Sequence, residues 1–257
     1  MSKSQVPQLF RETPTLHAYI KRNSDKACHT LAVEGVRDLN KAKRRDAILD
    51  AAVTLLGTRD SKDITTEEIA TLAGVSAATV YNLIGTRNEL MYQLVSRILT
   101  DLTKSLQSLD PGNPIAAAQL IIDHTVRAFV SNPNAYRQVV AVTQRAAAAQ
   151  PTPVDPSSFQ VVAMRQAQSM GIIRNDIDAS GLARQIFLSY TGAAMQWSAG
   201  RLDDAGLLTA ARHGLFTVLA AAATDDYREE FIDRMRPLGK TLEKKAWKFK
   251  GLPNTTS

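Results

Sequence analysis

The strongest constraint on this chain is the run ITTEEIATLAGVSAATVYNLIGTRNEL, residues 64–90, because three helix starts are spelled out in its side chains. Thr65 and Glu68 have the capping-box spacing, in which the hydroxyl accepts from the N3 amide while the carboxylate reaches back to the cap amide. Thr86 and Glu89 repeat that spacing, and Ser76 is a good single cap between them. Gly74 supplies a left-handed stop only two positions before Ser76. The run therefore predicts a helix from Thr65 to Gly74, a short one over 77–84, and a long one from Arg87 to about 109. Two short helices joined by so tight a turn have helix-turn-helix geometry, with Ile69, Ala70, Val75, Val80 and Ile84 closing a small core.

Placing Val80 and Ile84 inward leaves Ala78 and Asn82 on the opposite side, flanked by Thr79 and Tyr81. That face is small enough to enter a major groove. Asparagine pairs bidentately with adenine, alanine and threonine methyls touch thymine methyls, and the Tyr81 and Thr79 hydroxyls reach phosphates. The start of the long helix sets Arg87 beside a partial positive charge, a second phosphate clamp. Upstream, Ile48, Leu49, Ala52, Leu55 and Leu56 recur at helical spacing behind the basic cluster Lys41, Lys43, Arg44 and Arg45, which marks a first helix opening after Asn40. The residues expected at double-stranded DNA are Arg44, Arg45, Thr66, Ser76, Ala77, Ala78, Thr79, Tyr81, Asn82 and Arg87.

Beyond the DPGNP segment at 110–114, Pro and Asn clusters divide a helical pattern into pieces near 115–130, 134–149, 157–170, 179–199 and 205–223, with a last amphipathic piece over 226–235. Alternating strands with paired turn signals are nearly absent, so the fold class is all-α. Of the six net positive charges, three lie in residues 1–100, two in 225–257 and one between. That asymmetry suits a nucleic-acid-contacting end attached to a body with another task, and a solvated basic surface gives the same count. The 44% hydrophobic content excludes a wholly disordered chain. The longest apolar stretch, 215–223, is about half of the ~20 residues that a bilayer-spanning helix needs, so a cytoplasmic, nucleoid-associated protein with no membrane partner is expected. The lone Cys28 forms neither an intramolecular disulfide nor a cysteine-based metal site.

The segments RRDAILDAAVTLL and ITTEEIATLAGVSAATVYNLIGTRNEL, with the looser GIIRNDIDASGLARQIFLSYTGAAMQWSAGRLDD, resemble the TetR family of transcriptional regulators. The likeness covers roughly 41–223. It implies a partly irregular N-terminal extension over 1–40, a helix-turn-helix DNA-binding domain over 41–88, a helical ligand-binding and dimerisation domain over 89–223, and a C-terminal helix and basic tail over 224–257. It further implies a homodimer. The apolar stripes Leu182, Ile186, Ala193 and Trp197, and Leu208, Leu215 and Leu219, are the expected dimer interface. Phe129, Tyr136, Met164, Phe187 and Tyr190 are the candidates for a ligand pocket, and the apolar composition of the central region favours an apolar or amphiphilic effector.

The four histidines offer no pair at helical ligand spacing, and no nucleophile elbow, phosphate-cradling glycine loop or paired-carboxylate signature appears, so no cofactor, metal or enzyme activity is expected. His124 fits either a cavity wall or a satisfied core position. The tail KTLEKKAWKFKG interleaves lysines with Trp247 and Phe249, a pattern shared by nucleic-acid contacts, anionic membrane surfaces and solvated termini. Two functions stay open at this point: a ligand-released repressor on palindromic DNA, and a DNA-associated interaction protein on the same fold without an effector.

Overall fold

The computed structural model describes residues 36–110, 112–147 and 157–244. The expected helix near 15–21 and most of the basic tail lie outside the described residues. Ten α-helices occur among the described residues: α1 Val36–Leu56, α2 Thr66–Leu72, α3 Ala77–Leu83, α4 Arg87–Gln107, α5 Pro114–Ser131, α6 Pro133–Ala147, α7 Ser158–Ser169, α8 Ala179–Ser198, α9 Asp204–Ala222 and α10 Asp225–Lys244. A 3-10 turn, Ser61–Asp63, leads into α2. The one β contact among them is an isolated antiparallel bridge, Ile173 to Ala223.

Two of the helices exceed the expected bounds, each for a physical reason. α1 begins five residues before the position set by periodicity, because its first turns are exposed at Asp38, Leu39 and Asn40 and carry no apolar repeat. α10 continues past Met235 through Pro237. A proline inside a helix removes one hydrogen bond, a cost of about 3 kcal/mol. Here Phe231, Met235 and Leu238 form a stripe packed on the core, with Phe231 stacked on Phe216 at 6.5 Å, and this packing outweighs the loss.

Helices α1 to α4 form one end of the molecule around Ile48, Leu49, Ala52, Ile69, Ala70, Val80, Leu90 and Met91, all buried. The remaining helices form the larger body, in which α9 packs against α8, α10 and α5. By length and composition α9 alone among the described helices passes as a bilayer span, more than the 215–223 stretch suggested, because its many alanines extend the mild apolar average. Its Leu207, Ala211, Leu215 and Leu219 are buried against those neighbours.

The two ends meet through polar residues at the start of α6. The Gln138 amide donates to the Leu56 and Arg59 carbonyls at 2.8 Å each and accepts from the Ser61 amide at 2.6 Å. Asn132 donates to the Val53 carbonyl at 3.3 Å, and Asn134 to the Gly57 carbonyl at 3.2 Å. The Gln138 bond satisfies the Leu56 carbonyl, one of those that a helix C-terminus leaves open, and the other contacts tie the end of α1 and the residues just past it to the segment around the start of α6.

Candidate functional site

Helices α2, α3 and α4 open on the caps that the sequence spells out. Thr65 Oγ1 accepts from the Glu68 amide at 3.2 Å while Glu68 Oε2 accepts from the Thr65 amide at 2.9 Å. Thr86 and Glu89 form the second box. The hydrogen bonds from the Thr65 and Thr86 amides hold both carboxyls below the ordinary glutamate range, and Arg59 adds to the effect at Glu68. Gly74 has φ +66° and Gly85 has φ +97°. A Cβ at Gly85 would strike the Glu89 carboxylate, so the turn into α4 needs glycine for conformation and for space.

Helix α3 is fixed from three sides. Val80 and Ile84 are buried beneath it, and Val75 packs half-buried beside them. At its end the Gln93 amide from α4 donates to the Ile84 carbonyl at 3.0 Å, and the Arg45 guanidinium from α1 approaches the Leu83 carbonyl at 3.5 Å. Gln93 carries no signal in the sequence, where a glutamine on a helix reads as solvated. What remains outward is the expected face: Tyr81 is 64% exposed, and Ser76, Ala78 and Asn82 are exposed, with Ala77 and Thr79 half-buried. The Ser76 and Thr79 hydroxyls pair with each other at 2.8 Å. Among the described residues, neither the Tyr81 hydroxyl nor the Asn82 amide has a side-chain hydrogen-bond partner within the chain, so both are available to an outside acceptor or donor. Arg44 is exposed on α1, and Thr66 is half-buried at the start of α2.

Arg87 is placed differently from the expectation. Its guanidinium donates to the carbonyls of Ser61 and Ile64, so at least two of its five N–H groups tie α4 to the 3-10 turn and the entry of α2. Its position at the N-terminus of α4 is as expected, but its side chain builds the motif.

The family model described as "Bacterial regulatory proteins, tetR family" matches residues 48–91, which spans the end of α1 through the start of α4. That match covers the helix-turn-helix segment and less than a fifth of the chain. The chain is 36% identical over 61 residues to the HTH-type transcriptional regulator BetI of Agrobacterium fabrum, covering 24% of this chain and 30% of that protein. It is 38% identical over 74 residues to the HTH-type transcriptional regulator AlkX of Mycobacterium tuberculosis, covering 28% and 35%. The match thus spans about a third of the length of these curated relatives. A TetR-family transcriptional regulator from Marinobacter aquaeolei VT8 shares the fold at TM-score 0.54 and 16% identity, over 76% of this chain and 98% of that one.

In the larger body, the aromatic candidates form a cluster. Phe129 stacks on Tyr136 at 5.8 Å, Tyr190 at 6.4 Å and Trp197 at 5.9 Å between ring centroids. Phe129 and Met164 are buried core, and Phe187 is half-buried. Burial pushes the Tyr190 hydroxyl above the ordinary tyrosine value, and that oxygen has no hydrogen-bond partner. Of the five candidates, Tyr136 reaches an open cleft of about 500 Å³ between α4, α5 and α6. Its wall carries Arg97, Asp101, His124 and Arg127 beside Ile98 and Ala128, so it is more polar than the central composition suggests. Composition averages the core with the wall. A second void of about 40 Å³ inside the reading domain is far below the ~300–1,000 Å³ of ligand pockets.

The expected dimer stripe needs correction. Ile186 is 1% exposed, and Trp197, Leu215 and Leu219 are fully buried within one chain; Ala193 is buried, and Leu182 and Leu208 are half-buried against the same core. Trp197 lies beneath the Arg137 guanidinium, and its indole N–H donates to Asp204 Oδ1 at 2.8 Å. The most apolar stripe of a helix faces its own core, and amphipathicity does not say which neighbour fills it. On α8 the outward apolar residues are Leu188 and Met195, 55% and 48% exposed, on either side of the exposed Gly192.

Proposed function

We propose that this chain is a DNA-binding transcriptional regulator, a repressor that binds palindromic operator DNA as a homodimer and is released by a small molecule held in the larger body. The observation that carries the reading is the outward face of α3: an unpartnered asparagine amide, an exposed tyrosine and two small alanines on a helix clamped by α1 and α4. A rigid helix with a short, methyl-rich face enters the major groove, and its amide and hydroxyl groups divide the work between a base and the backbone. Two curated relatives that match part of the chain are named transcriptional regulators, which supports the same role. We place the reading domain at 41–88, the effector and dimer domain at 89–223, and the protein on the nucleoid in the cytoplasm, with no catalytic activity.

Leu188 and Met195, with Gly192 allowing close approach, are the face offered to a second copy. Pairing there sets two reading helices about one DNA turn, ~34 Å, apart. Selection of bound fragments from random DNA with the full chain tests the proposal. The expected result is a two-fold symmetric site, with Asn82→Ala costing ~1 to 3 kcal/mol at one base position of each half-site. Enrichment of no sequence, or an Asn82→Ala protein with unchanged preference and affinity, would refute it.

A further inference from the structure

Within the cleft between α4, α5 and α6, Arg97 is ion-paired with α1. Arg97 Nη1 lies 2.6 Å from Asp50 Oδ1, joining α4 to α1. The two partners sit in different surroundings: the Arg97 side chain is 25% exposed and that of Asp50 is 72% exposed. Burial opposes the Arg97 charge, and its hydrogen bonds with Asp50 and Tyr136 more than offset this, holding its pKa above the ordinary value. Arg97 therefore depends on an anionic partner, whereas water readily replaces Arg97 at Asp50.

The rest of the wall selects what such a partner is. Asp101 is paired with Lys104 at 3.0 Å. Burial lowers the His124 pKa, so that ring is neutral near pH 7 beside Ser105 Oγ, 3.4 Å from Nδ1. Arg97 and Arg127 remain as the positive groups facing the cleft, with the Tyr136 ring, Ile98 and Ala128 as its apolar surface. A cation meets two guanidinium groups there, and a doubly charged anion meets Asp101. A planar monoanion suits a guanidinium fork, and an apolar body covers Tyr136.

Resting on the regulator reading above, we propose that the cleft binds an amphiphilic carboxylate whose head takes Arg97 from Asp50, so that ligand binding loosens α1 from α4. Helix α1 carries Arg45, which reaches the end of α3, and α4 carries Gln93, which caps it. Release of the Arg97 pair therefore alters the two supports of the reading helix together. The exchange is close to balanced, because one carboxylate replaces another at Arg97 while Asp50 gains water, and this lets ligand concentration decide the state. The coupling is reciprocal: the factor that the carboxylate takes from operator affinity, the operator takes from carboxylate affinity.

The test uses calorimetry on the full chain with decanoate and phenylacetate, each against its uncharged amide, without DNA and then with a selected operator fragment. At least one carboxylate binds, its amide binds roughly tenfold or more weakly, a difference of ~1.4 kcal/mol, and the operator lowers carboxylate affinity. Asp50 is exposed, so Asp50→Asn leaves the fold intact. That variant binds the carboxylate several-fold more tightly, since Arg97 is already released, and binds the operator more weakly without ligand. Equal binding of acid and amide, binding of neither acid, or a carboxylate affinity indifferent to Asp50→Asn overturns the proposal. Because carboxylate binding is read without DNA, failure to select an operator counts against the regulator reading alone.

Discussion

Arg87 separates two accounts of the motif that predict opposite readouts. As a phosphate clamp, its loss weakens DNA binding and lowers the slope of log affinity against log salt by about 0.9. As a staple on the Ser61 and Ile64 carbonyls, its loss destabilises the reading domain instead. A hydrogen bond from a charged donor contributes about 1.5–3 kcal/mol. Water replaces the donor at the more exposed Ser61 carbonyl, while the half-buried Ile64 carbonyl carries nearly the whole effect, so about 2 kcal/mol is the expected loss for Arg87→Ala. With ~2–4 °C per kcal/mol for a protein of this size, the melting temperature falls by about 4–8 °C. Arg87→Lys sharpens the comparison, because an ammonium on a flexible stem keeps the charge but lacks the fork that reaches two carbonyls. Thermal unfolding and DNA binding at several salt concentrations check the result. The expected outcome is a similar loss of stability in both variants with an unchanged salt slope. A normal melting temperature with a reduced slope in Arg87→Ala, restored in Arg87→Lys, would refute the staple.

Leu188→Glu yields a monomer by sedimentation, since a charge replaces an outward apolar residue, whereas Trp197→Phe leaves the oligomeric state alone and lowers stability by about 1–3 kcal/mol through the lost bond to Asp204 and the void left behind. His124 makes stability fall as the pH drops below about 6.5, because the unfolded ring binds a proton there while burial keeps the folded one neutral, so the unfolded chain holds more protons. Arg127 opposes and Asp101 favours the charged ring, and chemical denaturation of His124→Asn across pH 7 to 5 shows a flatter dependence than the wild type.

The parts of this molecule legible in its sequence are those whose physics is local. Thr65 with Glu68, Ser76, and Thr86 with Glu89 act on amides within three residues, and Gly74 needs only its own backbone, so the caps and the turn stand where the spacing puts them. The outward face of α3 follows because Val80 and Ile84 define its inside. Gln93, Gln138 and Asn132 were not legible. Their partners are carbonyls that the chain brings near only after folding, 79 residues away for Asn132, and nothing in a glutamine's neighbours records that. Trp197 shows the converse, where a true apolar stripe was paired with the wrong neighbour. The cleft was hidden for a related reason: Arg97, Asp101 and His124 read along the chain as the solvated face of a helix.

These long-range amides change how the reading domain is attached to the body. If α4 were its sole connection, motion at the far end of α4 would pass to α3 as a simple lever. Instead the end of α1 and the 3-10 turn are held by Gln138, Asn132 and Asn134, so the reading domain has a second support at the start of α6. With two supports, the orientation of α3 depends on the separation of α4 and α6. The Arg97 cleft lies between those two helices, with Arg97 on one and Tyr136 on the other, two residues before Gln138. A molecule entering there acts on both supports at once and needs no long transmission path. The α6 side holds the end of α1 by amide contacts, whereas the α4 side combines the shared apolar core around Ile48, Leu49, Leu90 and Met91 with the Gln93 bond to the end of α3 and one exchangeable ion pair, so the joint is asymmetric. Under the proposed exchange, the hydrogen bonds to the end of α1 would hold while the Arg97 pair yields, which would turn the domain about the start of α6.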